Sequence, residues 1–131
     1  MDIANIVAAQ RAYYNTGVTK NYNYRVQMLD KLEEAVRNNE HEIYKALRAD
    51  LGRTDHESYL VEIGPVLAEL KYHRKNLKRW MRPEFVMPGL VQLPSKCRIY
   101  PEPYGLVLIV SPWNYPFNMC LQALIGAIAL R

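Results

Sequence analysis

The sequence predicts an α/β fold, and three observations carry that prediction. Gly105 opens an unbroken run of five aliphatic residues, 106–110, which fits a strand covered on both faces, as in a parallel sheet. Ser111-Pro112-Trp113-Asn114-Tyr115 then breaks the run, and Pro116 opens an apolar stretch, 117–130, in which Asn118 and Gln122 are the strongly polar members. Proline suits the first turn of a helix because the N–H it lacks would have had no partner there. Strand, polar loop and apolar helix make the first half of a βαβ unit, and ligands in open α/β sheets bind at the strand's carboxyl end, where Asn114 falls. Upstream, apolar residues recur at three- and four-residue spacing, as in amphipathic helices that cover a larger body.

In chain order, Ile3, Ile6, Val7 and Tyr14 predict a helix over 3–16, stopped by Gly17. A second helix follows Thr19, with Tyr22, Val26, Leu29, Leu32 and Val36 on one side and Arg25, Asp30, Lys31, Glu34 and Arg37 on the other. Asn39 with Glu42 resembles a capping arrangement for a short third helix that ends at Gly52. Thr54 with Glu57 is a capping box, and the helix it opens carries Leu60, Ile63, Leu67, Leu70, Leu77 and Met81 on one face. Gly64-Pro65 interrupts that helix, because proline removes one helix hydrogen bond and crowds the carbonyl four residues back. Residues 83–94, with three prolines and a glycine, read as an extended crossing segment. Residues 95–100 alternate in polarity as an antiparallel or edge strand would.

Half of the 131 residues are hydrophobic, enough for a core. The net charge of +4 and pI of about 9.1 are basic but not extreme. Solvated helix faces account for them: Lys71, His73, Arg74, Lys75, Lys78, Arg79 and Arg82 form the most basic face, without the aromatic interleaving of single-strand binders. No nucleic-acid partner is expected. The start of the chain lacks a charged n-region followed by an apolar h-region. The longest apolar stretch, 119–130, contains Gln122 and falls short of the ~20 residues a membrane span needs, so no transmembrane segment is expected in this chain. Cys97 and Cys120 form no Cys-x-x-Cys and have no nearby histidine, so no metal site is expected; a reduced, cytoplasmic setting is the default. His41, His56 and His73 lie in charge-rich helical segments and read as surface residues. Cys120, inside the apolar helix, reads as a small hydrophobe.

Asn114 is the residue best suited to chemistry. Its amide donates two hydrogen bonds and cannot ionise, which suits a site that stabilises a negative oxygen. A helix start just beyond it adds peptide dipoles favourable to negative charge. Spacing alone leaves open the alternative that Asn114 caps a turn.

Three downstream motifs, Glu102-Pro103-Tyr104-Gly105, Pro112-Trp113-Asn114-Tyr115-Pro116-Phe117-Asn118 and Gly126-Ala127-Ile128-Ala129, follow three upstream ones in a set order. The upstream motifs are Asp50-Leu51-Gly52-Arg53, Glu62-Ile63-Gly64-Pro65-Val66-Leu67 and Leu77-Lys78-Arg79-Trp80. On this ordered set, which covers nearly the whole chain, the sequence resembles the aldehyde dehydrogenase superfamily, in its class 3-like branch of fatty and aromatic aldehyde dehydrogenases.

The resemblance implies an N-terminal portion of that fold: residues 1–94 a helical segment packing on the cofactor domain, 95–104 an oligomerisation strand, and 105–131 the start of a Rossmann-like NAD(P)-binding domain. It further implies an aldehyde substrate, NAD or NADP as cofactor, and a homodimer. Asn114 becomes the oxyanion donor. Val110, Ser111, Pro112 and Trp113 run along the nicotinamide ribose, although no Gly-x-Gly-x-x-Gly is present to support this independently. Tyr115, Asn118, Met119 and Gln122 line a substrate tunnel, with core packing an equal alternative for Met119. The family's nucleophilic cysteine and general-base glutamate lie far downstream of these motifs, so the 131 residues alone are expected to be inactive. The family usually continues Ala-Ala-Gly-Asn after Gly-Ala-Ile, and Ala129-Leu130-Arg131 departs from it; the apolar helix also reaches Arg131 without a cap. The alternative reading is a non-catalytic fragment that acts through association of its exposed strand and apolar helix.

Overall fold

The computed structural model describes residues 2–129; the expectations for Leu130 and Arg131 lie outside these. The described residues are helix-rich, with one small sheet. Helices α1 (Ile3–Asn15), α2 (Tyr22–Asn38) and α3 (Glu40–Leu51) are followed by a continuous helical rod. The rod comprises α4 (Asp55–Ser58), a π-turn (Tyr59–Ile63) and α5 (Gly64–Trp80). Strands β1 (Glu84–Val86) and β2 (Cys97–Ile99) pair antiparallel, Phe85 opposite Arg98, before α6 (Pro116–Ala129) closes the described chain. The α/β class stands, carried by helices and this ribbon.

Local chemistry starts the helices. The carboxylate of Asp2 accepts the Ala4 N–H at 3.0 Å, and the amide oxygen of Asn21 accepts that of Tyr24 at 3.2 Å. Thr54 and Glu57 complete the capping box reciprocally. Hydrogen bonding to Thr54 holds the Glu57 carboxyl below its usual range. Asn39 does not cap α3 as expected: its side-chain N–H turns back to the Ala35 carbonyl at 2.8 Å, and Glu40 and Glu42 face the α3 dipole instead.

The interruption at Gly64-Pro65 takes the form of the π-turn. Pro65 has no N–H to give to the Val61 carbonyl, and its ring crowds that carbonyl. The Gly64 N–H bonds five residues back to Tyr59. A Cβ on Gly64 would lie 2.9 Å from the Tyr59 carbonyl oxygen, closer than a side chain tolerates. The Val61 carbonyl left over by Pro65 accepts the side-chain N–H of Asn118, from α6, at 2.9 Å. The proline break is thereby converted into a contact between α6 and the rod.

The core lies between α2, α5 and α6. Leu29 and Val36 meet Ile63, Val66, Leu67, Leu70 and Leu77, and Ile125 and Ala129 close the layer. Two expectations fail here. Arg25 is buried, on the same face as Leu29; it donates to the Thr19 carbonyl at 2.8 Å and to the Ala129 carbonyl at 3.4 Å. Burial lowers its pKa from the usual arginine value, and the Thr19 and Ala129 carbonyls compensate the charge. His73 is also buried, with Nδ1 3.1 Å from the Glu69 carbonyl and its ring edge-on to Tyr72 and Trp80. Both residues fall on the helix face that the apolar rhythm already marks, and hydrogen bonding lets a polar group share it.

The run 106–110 also departs from expectation. No strand lies beside it among the described residues, so it forms no ladder, and Leu108 and Val110 are 89% and 84% exposed. A parallel strand needs a paired neighbour and cover on both faces. Its start is nevertheless fixed. The Tyr14 hydroxyl donates to the Pro103 carbonyl at 2.9 Å, and Gly105 adopts φ 99° with the Tyr14 ring 3.1 Å from where a Cβ would stand. Glycine alone suits both that backbone and that approach. The segment read as an extended crossing contributes β1, which the prolines around it obscured.

Gly64→Ala sets helix propensity, worth about 1 kcal/mol in favour of alanine, against the 2.9 Å approach to a backbone oxygen that cannot swing aside. Overpacking costs roughly 1–3 kcal/mol. The variant is therefore expected to melt below the parent in a thermal scan followed by circular dichroism. A higher melting point would mean that the π-turn relaxes to α-helix without loss.

Candidate functional site

Arg53 occupies the short joint between α3 and α4, after Gly52 at the α3 C-terminus and before Thr54 at the α4 N-cap. Two capped helix ends thus hold its backbone. Its side chain serves three partners. Nη1 donates to Glu62 Oε1 in a short ion pair. Nη2 donates to the Asn114 carbonyl at 2.9 Å. The guanidinium also lies 4.8 Å from the centre of the Tyr115 ring, within cation–π range.

Glu62 is wholly buried in the π-turn. Its second oxygen, Oε2, accepts the Asn118 N–H at 2.7 Å. Asn118 is the third residue of α6, so this N–H belongs to the first turn, where no carbonyl of the helix can reach it. Tyr115, whose carbonyl accepts the Met119 N–H at 3.1 Å, occupies the N-cap but carries no local capping oxygen. Glu62 therefore caps α6 from another helix, and its charge also suits the N-terminal end of the helix dipole. A lone buried carboxylate would be costly. Arg53 on one oxygen and a helix N–H on the other compensate it.

The loop 111–115 is thus clamped at the Asn114 carbonyl and at the Tyr115 ring. The side-chain amide of Asn114 has no hydrogen-bond partner among the described residues, and Asn114 is exposed. Val110 and Trp113 (88%) are exposed beside it, with Pro112 exposed and Ser111 half-buried. Tyr115 is half-buried under Arg53, and Met119 is 42% exposed. Gln122 is half-buried on α6. Asn118 faces the rod: its N–H and its side-chain amide engage Glu62 and Val61, and its buried Oδ1 has no partner among the described residues. Among the described residues no group of three or more His, Cys, Asp or Glu side chains could hold a metal ion. Cys97 and Cys120 are both free thiols and half-buried.

Sequence reasoning assigned no role to Arg53 or Glu62, although both lie in the motifs quoted above. One signal was present for Glu62. Ser58, Glu62, Val66 and Leu70 stand at four-residue spacing, and all four are buried. An acid on an apolar stripe is a buried charge in need of a partner.

Removing either partner should expose the cost of the other. Arg53→Ala leaves a fully buried carboxylate without its cation, and breaking a buried pair typically costs about 3–5 kcal/mol. Urea denaturation is expected to rank Arg53→Ala as more damaging than Glu62→Ala, because Arg53 is the more exposed partner. The double variant Arg53→Met/Glu62→Leu should be more stable than Arg53→Ala, since no unpaired charge remains. Losses that simply add would show that the pair is not coupled.

A profile of the aldehyde dehydrogenase family matches residues 1–131. The chain is 44% identical over 91% of its length to 4,4'-diaponeurosporen-aldehyde dehydrogenase of Staphylococcus aureus, of which it covers 26%. It is 40% identical over 98% of its length to aldehyde dehydrogenase family 3 member H1 of Arabidopsis thaliana, again covering 26%. A dimeric NADP-preferring aldehyde dehydrogenase of Canis lupus familiaris is 36% identical over 97% of the chain, which covers 28% of it. Among solved structures, the substrate-bound state of Staphylococcus aureus AldH superposes with a TM-score of 0.93 at 42% identity, over 98% of this chain and 28% of that one. The chain therefore spans about a quarter of the length of these relatives, and it belongs to the aldehyde dehydrogenase family.

Proposed function

We propose that these residues supply the oxyanion donor and one wall of the cofactor site of an NAD(P)-dependent enzyme that oxidises aldehydes to carboxylates through a cysteine thiohemiacetal. The observation that carries this is the state of Asn114: its carbonyl is pinned by Arg53 while its side-chain amide is uncommitted and exposed. A turn-capping asparagine would spend that side chain on the backbone. Here the first turn of α6 is capped by Glu62 instead. An unspent amide on a clamped loop is a donor available to a developing negative charge on the substrate oxygen, with its backbone already placed.

Val110, Ser111, Pro112 and Trp113 fit the nicotinamide-ribose end of NAD or NADP, being largely exposed and uncharged. NAD(P), when bound, supplies the hydride acceptor. Tyr115, Met119 and Gln122 would line the approach of the aldehyde from the α6 side, and Asn118 would support that wall through its bonds to the rod. In this reading residues 1–94 cover the cofactor domain, 95–104 meet a second subunit of a cytoplasmic homodimer, and 105–131 open the NAD(P)-binding domain. No helix among the described residues is long and apolar enough to cross a membrane.

The test uses a chimaera in which residues 1–131 replace the matching segment of the Staphylococcus aureus relative. Asn114→Ala is expected to lower kcat by about 10²–10³, as loss of one oxyanion donor does, with dinucleotide affinity little changed. Asn114→Asp should be at least as damaging, since it sets a negative charge beside a developing one. An active Asn114→Asp enzyme would overturn the assignment, because aspartate caps a turn as well as asparagine does.

The second reading, a fragment that acts through association, is favoured by the bare apolar run around Leu108 and Val110. The two readings meet in one experiment on the purified 131-residue chain. With neither a nucleophile nor a base in the site, it is expected to show no NAD(P)-dependent oxidation of aliphatic or aromatic aldehydes, and light scattering is expected to find it self-associated. Turnover that disappears on Cys120→Ser would contradict the proposed roles.

A further inference from the structure

We propose that Arg53 and Glu62 are positioning residues for the oxyanion donor, an inference that rests on the reading of Asn114 above. Among the described residues, Asn114 is hydrogen-bonded to the rest of the molecule through its backbone, by the Arg53 Nη2 bond to its carbonyl. That bond fixes the peptide plane between Asn114 and Tyr115. The Arg53 guanidinium over the Tyr115 ring holds the next residue, leaving the donor amide two side-chain torsions away from a clamped backbone. Arg53 is held in turn by Glu62, and the same carboxylate receives the first turn of α6. Loop and helix are therefore both referenced to one buried group in the rod. The pair is also neutral as a unit, so a negative oxygen can form at Asn114 without facing an uncompensated carboxylate.

The arrangement depends on the guanidinium fork. Arginine presents several N–H groups in a fixed plane and can serve a carboxylate and a carbonyl at once, whereas lysine offers a point charge on a flexible stem. Arg53→Lys retains the cation beside buried Glu62 and gives up the second, directed bond.

The experiment is a double-mutant cycle in the same chimaera. Arg53→Lys is expected to lower kcat about 10- to 100-fold, the scale at which misplacement by roughly 1 Å acts, with KM for the aldehyde and dinucleotide affinity changed less than about threefold. In the Asn114→Ala background the same substitution should change kcat by less than about twofold, because the group it positions is gone. Glu62→Gln, which keeps the shape and loses the charge, provides a second cycle with a smaller loss and the same disappearance in the Asn114→Ala background. It serves if Arg53→Lys does not fold. Equal fold-losses with and without Asn114 would overturn the proposal and leave the oxyanion reading standing. An Asn114→Ala enzyme as active as its parent would overturn both.

Discussion

The structure depends on one buried carboxylate. Glu62 brings a full charge into the interior and has both oxygens engaged, one by Arg53 and one by the first turn of α6. Arg53 stands 9 residues before it, in the joint that opens the rod, and Asn118 stands 56 residues after it, so α6 must dock on the rod before both oxygens of this charge are engaged. Hydrophobic contact among Leu29, Leu70 and Ile125 favours compaction of the helices but is indifferent to small rotations between them. A buried charge with directed partners is not indifferent. It discriminates against arrangements in which α6 slides or turns relative to the rod.

That selectivity fits the division of labour in the molecule. The rod and α2 provide a packed body, and the loop that carries Asn114 is referenced to it by polar contacts. Polar anchorage of this kind positions backbone groups without covering the side chains they carry, and Asn114 stays exposed. Arg25 does comparable work at the opposite end of α6, where it reaches the Ala129 carbonyl from α2. An anion thus meets the start of this helix and a cation its end, each in the sense the helix dipole favours.

The helices were legible in the sequence because their signals are local: apolar spacing, the Thr54–Glu57 box, and glycines at helix ends. The loop around Asn114 was legible for a different reason, since Ser111, Pro112 and Pro116 interrupt the apolar pattern between the run 106–110 and α6. What could not be read was contact across the chain. Arg25 looked like a member of a polar face, and its burial follows from where α6 brings the Ala129 carbonyl; His73, hydrogen-bonded within its own helix to Glu69, is buried by the elements packed against α5. The same holds for the capping of α6 by a residue 56 positions away. The run 106–110 failed in the opposite direction: its composition asks for neighbouring strands, and composition cannot supply them.

The widened turn at 59–63 also sets an angle. In an α-helix four residues advance about 400°, so a row at four-residue spacing drifts about 40° per step across the helix surface. Ser58, Glu62, Val66 and Leu70 form such a row, yet all four remain buried. The π-turn takes up part of that drift, so the acid and the apolar residues after it share one azimuth. Pro65 makes no polar contact with Arg53 or Asn114 among the described residues, yet by breaking the α-helical pattern beside the π-turn it bears on the phase of the rod and so on the side from which Glu62 meets the start of α6.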